Sequence, residues 1–215
     1  MSARDAVRLL AAAVLAALPC SAFAAAAIIG DAAAGATLAA ACQACHGAQG
    51  EGLPTAGFPR LAGQSAVYLD KQLADYVSGS RANAVMAPLA KTLDAKKRAD
   101  LAAHFASLSP PAAAGAAPAD AQVLARGRLL ARQGDEAKQL QACANCHGPD
   151  GRGESFAAPY LAGQSASYLT AAIGEWKSGA RKNDGGRLMA EVAGRLDDAD
   201  IAAVAAYFQS VGPLP

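Results

Sequence analysis

Apolar residues recur at helical spacing in two similar stretches of the chain. Residues 101–105 read Leu-Ala-Ala-His-Phe and residues 204–208 read Val-Ala-Ala-Tyr-Phe, and both predict a helix with a buried face. Between them, residues 109–118 combine prolines and a glycine with small side chains that show no apolar period, which predicts a linker. The pattern therefore indicates two helical units joined by a segment rich in proline and alanine.

The composition agrees with a helical fold. The 215 residues are 53% hydrophobic and only 5% aromatic, and this balance favours helices and tight loops over strands rich in Val, Ile and Tyr. With only 17% charged residues, the chain can bury a substantial core, and its length permits one domain or two small ones. We therefore expect an all-α protein.

The start of the chain has the pattern of an export signal. Two arginines precede an apolar run at residues 9–18, and residues 21–24, Ser-Ala-Phe-Ala, fit a cleavage site. The run is shorter than the roughly 20 residues that span a bilayer, which disfavours a transmembrane anchor. A lipid on Cys20 is disfavoured by the proline before it. We expect residues 1–24 to be a cleaved signal peptide and the mature protein to be periplasmic.

The charge of the mature chain argues against one class of function. Removing the leader takes two of the 19 basic and one of the 18 acidic side chains, which leaves 17 of each. Nucleic-acid binding requires a basic patch or stripe, and a chain without a charge bias gives it no support.

The two halves repeat each other. Residues 61–69 recur as residues 161–169 with one difference, and Ser65 and Ser165 are placed to cap helices that end at glycines 79 and 179. Beyond that point the second copy is longer by three residues, around residues 184–186, which predicts a loop there. We place the first domain at residues 25–108, the linker at residues 109–121 and the second domain at residues 122–215.

Two short motifs carry the candidate chemistry. Each reads Cys-x-x-Cys-His, at residues 42–46 and 143–147, and this is the attachment signature of haem c. On one helical turn, positions i, i+3 and i+4 share a face, so two thiols can bond one porphyrin edge while an imidazole reaches the iron. The sequence predicts two covalent haem c groups, attached through Cys42, Cys45, Cys143 and Cys146 and ligated by His46 and His147.

Other uses of these cysteines are less well supported. An exported chain could form disulfides, but the histidine that follows each pair is not explained by a disulfide framework. A zinc site draws ligands from a second, separated pair, and neither half supplies one. A thioredoxin-like dithiol requires a βαβ setting that the sequence does not predict.

Each half resembles a small class I cytochrome c domain, and the tandem resembles the dihaem cytochrome c4 family. The resemblance covers nearly the whole mature chain and includes both Cys-x-x-Cys-His motifs and the Pro-x-Leu-Ala-Gly-Gln stretches that begin at Pro59 and Pro159. It implies that Met86 and Met189 are the sixth iron ligands and that a loop carbonyl near each proline accepts the imidazole N–H. The second copy departs from the pattern, with Ala190 after its methionine and a longer loop before it.

The resemblance also implies a function. His/Met ligation leaves no vacancy for a substrate, so we expect a periplasmic electron carrier and not an enzyme. Its partners would be transient redox proteins, such as a quinol-oxidising complex and a terminal oxidase, and peripheral membrane association is compatible with that role. The rival is an enzyme with an exchangeable sixth ligand, such as a dihaem peroxidase or a sulfur-compound dehydrogenase, or a cytochrome subunit that serves one. A haem-based gas sensor is the third alternative.

Several residues near the repeats have weaker assignments. Arg60, Arg81 and Arg181 are expected on the solvated surface, with haem propionates as the alternative partners. Tyr68 and Tyr168 could line a haem, line an interface between the domains, or only pack between helices.

Overall fold

Helices form the regular structure of the chain, as the composition predicts. The computed structural model describes residues 30–110, 119–153 and 158–212, and within these ranges no strand longer than an isolated β-bridge forms. The first unit contains α1 (Ala32–Leu38), α2 (Ala40–His46), α3 (Ala66–Ser78), α4 (Met86–Lys91) and α5 (Ala95–Ser107). The second contains α6 (Ala121–Arg132), α7 (Ala144–His147), α8 (Ala166–Ser178), α9 (Leu188–Arg195) and α10 (Asp198–Ser210).

The ends of α3 and α8 follow the repeated sequence. The Ser65 hydroxyl accepts a hydrogen bond from the backbone N–H of Tyr68 at 3.4 Å, and Ser165 caps α8 through Tyr168 in the same way at 3.3 Å. Both helices end at a glycine with positive φ, 83° at residue 79 and 73° at residue 179. The predicted caps and helix ends are confirmed.

The first and last helices of each unit cross at a glycine. A Cβ at Gly35 in α1 would lie 2.1 Å from the carbonyl oxygen of Asp100 in α5, and a Cβ at Gly127 in α6 would lie 2.1 Å from that of Ala203 in α10. Only a residue without a Cβ allows the backbones to approach this closely. The first and last helices therefore cross in the same way in both copies.

Each unit has its own apolar core, which confirms the two-domain prediction. The last helices supply much of both cores, as their apolar period predicts. The core of the first domain contains Ala39, Leu69, Leu101, Ala102 and Phe105. The core of the second contains Leu130, Ala131, Leu140, Leu169, Leu196, Ile201, Val204, Ala205, Tyr207 and Phe208.

The two domains meet through a reciprocal pair of glutamine contacts. The side chain of Gln64 accepts a hydrogen bond from the backbone N–H of Tyr160 at 2.9 Å and donates one to its carbonyl at 3.0 Å. In turn, Gln164 accepts from the backbone N–H of Arg60 at 3.0 Å and donates to its carbonyl at 3.0 Å. The interface is thus self-complementary, like that of a symmetric dimer.

Some predicted features lie outside the described residues. The signal peptide at residues 1–24 and most of the linker are among them, and the domain limits stay predictions. Within the described ranges, no helix is both long and apolar enough to cross a bilayer. The insertion of the second domain is described, and residues Gly185–Arg187 form a short 3-10 turn, as the predicted loop requires.

Candidate haem sites

Both Cys-x-x-Cys-His motifs lie on a helical turn. In the first domain Cys42, Cys45 and His46 belong to α2, and His46 is its last residue. In the second, Cys143 has helical backbone angles just before α7, which ends at His147. The imidazoles are buried, while the cysteines are half-buried or, at residue 146, exposed. The turn therefore places two thiols and one imidazole as the motif predicts.

A proline carbonyl orients each imidazole. Nδ1 of His46 lies 2.8 Å from the carbonyl oxygen of Pro59, and Nδ1 of His147 lies 2.9 Å from that of Pro159. The implied loop carbonyls are thus identified as those of the two prolines. Burial lowers the pKa of both histidines, although the carbonyl contact partly opposes it. A neutral ring that donates from Nδ1 keeps the Nε2 lone pair for a metal.

The state of the thiols disfavours the other uses of the cysteines. Burial raises the pKa of Cys42, and it raises the pKa of Cys143 to about 11, whereas redox dithiols rely on a lowered pKa. The four cysteines within the described ranges form no disulfide. The same ranges contain no group of three or more His, Cys, Asp or Glu side chains suited to a metal ion. A thioredoxin-like site and a zinc site therefore gain no support.

The two methionines occupy similar positions at the start of a helix. Met86 is the first residue of α4 and Met189 is the second residue of α9, and both are half-buried. A side-chain oxygen fixes each segment: Asn83 accepts a hydrogen bond from the backbone N–H of Met86 at 2.8 Å, and Asp184 accepts one from that of Met189 at 2.8 Å. Iron ligation by these methionines stays a prediction.

Three arginines that were expected on the solvated surface are buried instead. Arg60, Arg81 and Arg181 are only 5%, 7% and 6% exposed. The guanidinium of Arg60 donates to the carbonyl oxygens of Ala62 in its own domain and Ala162 in the other, each at 2.6 Å. The expectation was wrong because all three arginines lie where the two domains pack against each other.

The other two arginines exchange tyrosine partners across the interface. Arg81 donates to the hydroxyl of Tyr168 at 3.2 Å, and Arg181 donates to that of Tyr68 at 3.1 Å. The side-chain oxygen of Gln72 accepts from both guanidinium groups at 2.9 Å. Of the alternatives for the two tyrosines, the structure shows contact between the domains.

The buried arginines fit the anionic groups of a haem. None of the ion pairs among the described residues includes Arg60, Arg81 or Arg181, and Nε of Arg60 is buried without a hydrogen-bond partner there. A buried cation is stable only when it is paired or fully hydrogen-bonded. Carboxylate groups such as haem propionates would balance this charge, so the residues present are compatible with two haems.

Sequence reasoning missed the residues that join the domains and fix the methionine segments. Gln64 and Gln164 stand in the repeated Leu-Ala-Gly-Gln stretch, so their repetition was a signal, but repetition alone does not distinguish an interface from a core. Asn83 and Asp184 are residues that typically cap helices, and their positions before the two methionines could have identified them.

Comparisons with known proteins agree with the repeat and the motifs. The cytochrome c family model matches residues 32–109 and again residues 131–212. A protein named thiosulfate dehydrogenase electron acceptor, from Stutzerimonas stutzeri (strain A1501), is 44% identical over 176 residues, which are 81% of this chain and 80% of that protein. The similarity therefore extends over both domains.

Two solved structures have the same fold. Reduced recombinant cytochrome c4 from Pseudomonas stutzeri superposes with a TM-score of 0.78 at 36% identity, over 85% of this chain and 99% of that chain. A thiosulfate dehydrogenase from Marichromatium purpuratum superposes with a TM-score of 0.77 at 40% identity, over 85% of this chain but only 40% of that chain. The first match covers nearly all of the cytochrome c4 chain, whereas the second covers only a part of the longer dehydrogenase chain.

Proposed function

We propose that this member of the cytochrome c family shuttles electrons between redox proteins in the periplasm. The chain is a dihaem electron carrier of the cytochrome c4 type, with two covalent haem c groups. Its partners are redox proteins that dock transiently. Export by the predicted signal peptide supports the compartment.

We assign the attachment and the axial ligands of each haem residue by residue. Cys42 and Cys45 attach the first haem, and its iron takes His46 and Met86. The second haem takes Cys143, Cys146, His147 and Met189 in the same roles. The observation that carries this assignment is the pair of imidazoles held through Nδ1 by a proline carbonyl, which leaves Nε2 of each ring for iron.

Each iron supplies a one-electron couple when it is bound with His and Met as axial ligands. The chain's own part is to hold the ligands in place and to keep them from exchanging. The capped methionine segments and the buried, neutral imidazoles serve this purpose. With His and Met side chains holding each iron, no coordination site would remain for a substrate, which is why we propose a carrier and not an enzyme.

A potentiometric titration of the purified holoprotein, followed by visible spectra, tests the carrier role. We expect two one-electron steps and a total of two electrons per chain, with low-spin spectra in both oxidation states. Addition of thiosulfate or hydrogen peroxide without another protein should produce no catalytic turnover. A high-spin haem with measurable turnover would instead assign an enzymatic role to its domain.

For the redox partners, two donors deserve a direct comparison. The family resemblance favours a quinol-oxidising complex as donor and a terminal oxidase as acceptor. The relative named thiosulfate dehydrogenase electron acceptor and the dehydrogenase that contains a similar segment favour a thiosulfate-oxidising enzyme as donor. We propose the second donor, because a relative and a solved structure that both resemble this chain are named after thiosulfate dehydrogenase.

Stopped-flow reduction of the oxidised holoprotein separates the two donors. A purified thiosulfate dehydrogenase with thiosulfate should reduce both haems, while thiosulfate alone and the dehydrogenase alone serve as controls. If the dehydrogenase with thiosulfate reduces the haems no faster than the controls, and a quinol-oxidising complex reduces them rapidly, then that complex is the donor.

A further inference from the structure

The two methionine segments are capped by side chains of similar shape but different charge. In the first domain, Oδ1 of Asn83 accepts hydrogen bonds from the backbone N–H groups of Val85 and Met86 at 2.9 and 2.8 Å. In the second, Oδ2 of Asp184 accepts them from Met189 and Ala190 at 2.8 and 3.2 Å. The same two-bond cap is therefore neutral in one domain and a carboxylate in the other.

The insertion of the second domain produces this difference. Asn83 lies three residues before its methionine, whereas Asp184 lies five before Met189, so Gly185–Arg187 loop out between the cap and α9. The neighbouring Asn183 anchors the start of this segment to α3 of the first domain through Gln72 at 3.0 Å. The position of the carboxylate is thus set by contacts on both of its sides.

The charge of Asp184 is not neutralised by an ion pair. None of the ion pairs among the described residues includes it, and its second oxygen, Oδ1, is buried without a hydrogen-bond partner in those residues. Of the cationic residues near it in the sequence, Arg181 is buried and donates to the side-chain oxygen of Asn183 at 2.9 Å, whereas Lys182 and Arg187 are exposed to solvent. A partly buried, unpaired carboxylate keeps more of its field than an exposed one, because less water screens it.

We propose that Asp184 is a positioning residue that both fixes the Met189 segment and lowers the redox potential of the second haem by its negative charge. The inference rests on the proposed ligation of that haem by Met189. A fixed negative charge near the iron stabilises the ferric state over the ferrous state, which carries one positive charge less. Neutral Asn83 gives the first haem the same mechanical support without this effect.

The test is an isosteric exchange of the two caps in the full-length holoprotein. Asp184→Asn keeps an acceptor oxygen and removes the charge, and Asn83→Asp is the reciprocal variant. The midpoint potential of each haem is measured by potentiometric titration, with haem methyl NMR signals used to assign the two haems. The near-infrared band of Met-to-iron charge transfer reports whether ligation is retained.

We expect Asp184→Asn to raise the potential of the second haem only, with its ligation band retained. The shift should reach a threefold to tenfold change in the ratio of reduced to oxidised haem at fixed potential, where tenfold corresponds to about 59 mV for a one-electron couple. Asn83→Asp should lower the potential of the first haem only, and by less, because residue 83 is exposed to solvent. Asp184→Ala, which also removes the cap, should weaken the ligation band.

Three results would overturn the inference. An unchanged or lowered second potential in Asp184→Asn contradicts the charge effect, as does an equal shift at both haems. Loss of the ligation band in Asp184→Asn also contradicts it, because Asn83 holds Met86 as a neutral cap. A wild-type protein without two such bands contradicts the proposed ligation itself, so the two failures are distinguishable.

Discussion

The two domains share the parts that hold a haem and differ in the segments that lead to them. In the first domain α2 follows α1 directly, with only Ala39 between them, whereas residues 133–143 separate α6 from α7 in the second. The turn of each motif and the proline carbonyl on its imidazole are nevertheless the same in both. Duplication thus preserved the contacts that orient the ligands and allowed the approach to them to change.

The longer segment of the second domain is secured by charged side chains. Arg126 pairs with Asp135 and Asp200 at 2.8 Å, and Lys138 pairs with Asp197 and Asp200. The corresponding end of the first domain has a smaller arrangement, in which the buried Asp100 accepts from Lys96 and from the backbone N–H of Asp31. The comparison teaches that the extra segment is tied to the last helix by ion pairs and also contributes Leu140 to the larger core of the second domain.

The largest expected effect is the loss of one methionine ligand. Met189→Ala should change the spin state of the second haem and lower its potential, because a soft thioether favours reduced iron. The first haem should be unaffected, and Met86→Ala should give the mirror result. Visible and near-infrared spectra with a redox titration measure both. Redox steps that do not change in Met189→Ala would show that this residue is not a ligand and that the two domains differ in their chemistry.

A smaller effect is expected at the interface, where the domains are equivalent. Gln64→Ala and Gln164→Ala each leave a backbone N–H and a carbonyl of the other domain unpaired, and each buried unsatisfied group costs about 1–3 kcal/mol. Both variants should lower the urea midpoint by similar amounts. The exposed Gln122→Ala is the control and should leave it unchanged. If only one of the two interface variants lowers the midpoint, the reciprocal contact does not exist in solution.

The smallest predicted effect is an acid sensitivity that Asp150 adds to the second domain. Hydrogen bonds from Arg132 and Tyr207 hold the pKa of Asp150 below its usual value. This carboxylate therefore stabilises the folded state above its unfolded pKa of about 3.9, and the contribution is lost as the pH falls through the lower folded value. Asp150→Asn should abolish this part of the pH dependence.

The first domain supplies the control for that experiment, because Gln49 occupies the corresponding position in its motif loop. Urea unfolding at several pH values, read from the spectrum of each haem, measures the effect. Gln49→Asn should leave the acid sensitivity unchanged. Equal acid sensitivity of the wild type and Asp150→Asn would contradict the prediction that Asp150 stabilises the second domain.

The sequence was sufficient for the fold and for the cysteine and histidine turns, because these depend on local spacing. Helix caps such as Ser65 and the apolar period of residues 204–208 are also local, and both predictions are confirmed. The burial of Arg60, Arg81 and Arg181 could not be predicted, because it depends on how one copy packs against the other. The caps of the methionine segments were missed because they do not align in the repeat. Asn83 lies three residues before Met86, whereas the insertion places Asp184 five residues before Met189.

The central claim is that both domains hold a haem whose two axial positions are filled by side chains. Near-infrared spectroscopy of the oxidised holoprotein tests this claim most directly. We predict Met-to-iron charge-transfer intensity from two haems per chain and no carbon monoxide binding after reduction. Intensity from one haem only, or carbon monoxide binding to the reduced wild-type protein, would contradict the claim and identify a domain with an open iron.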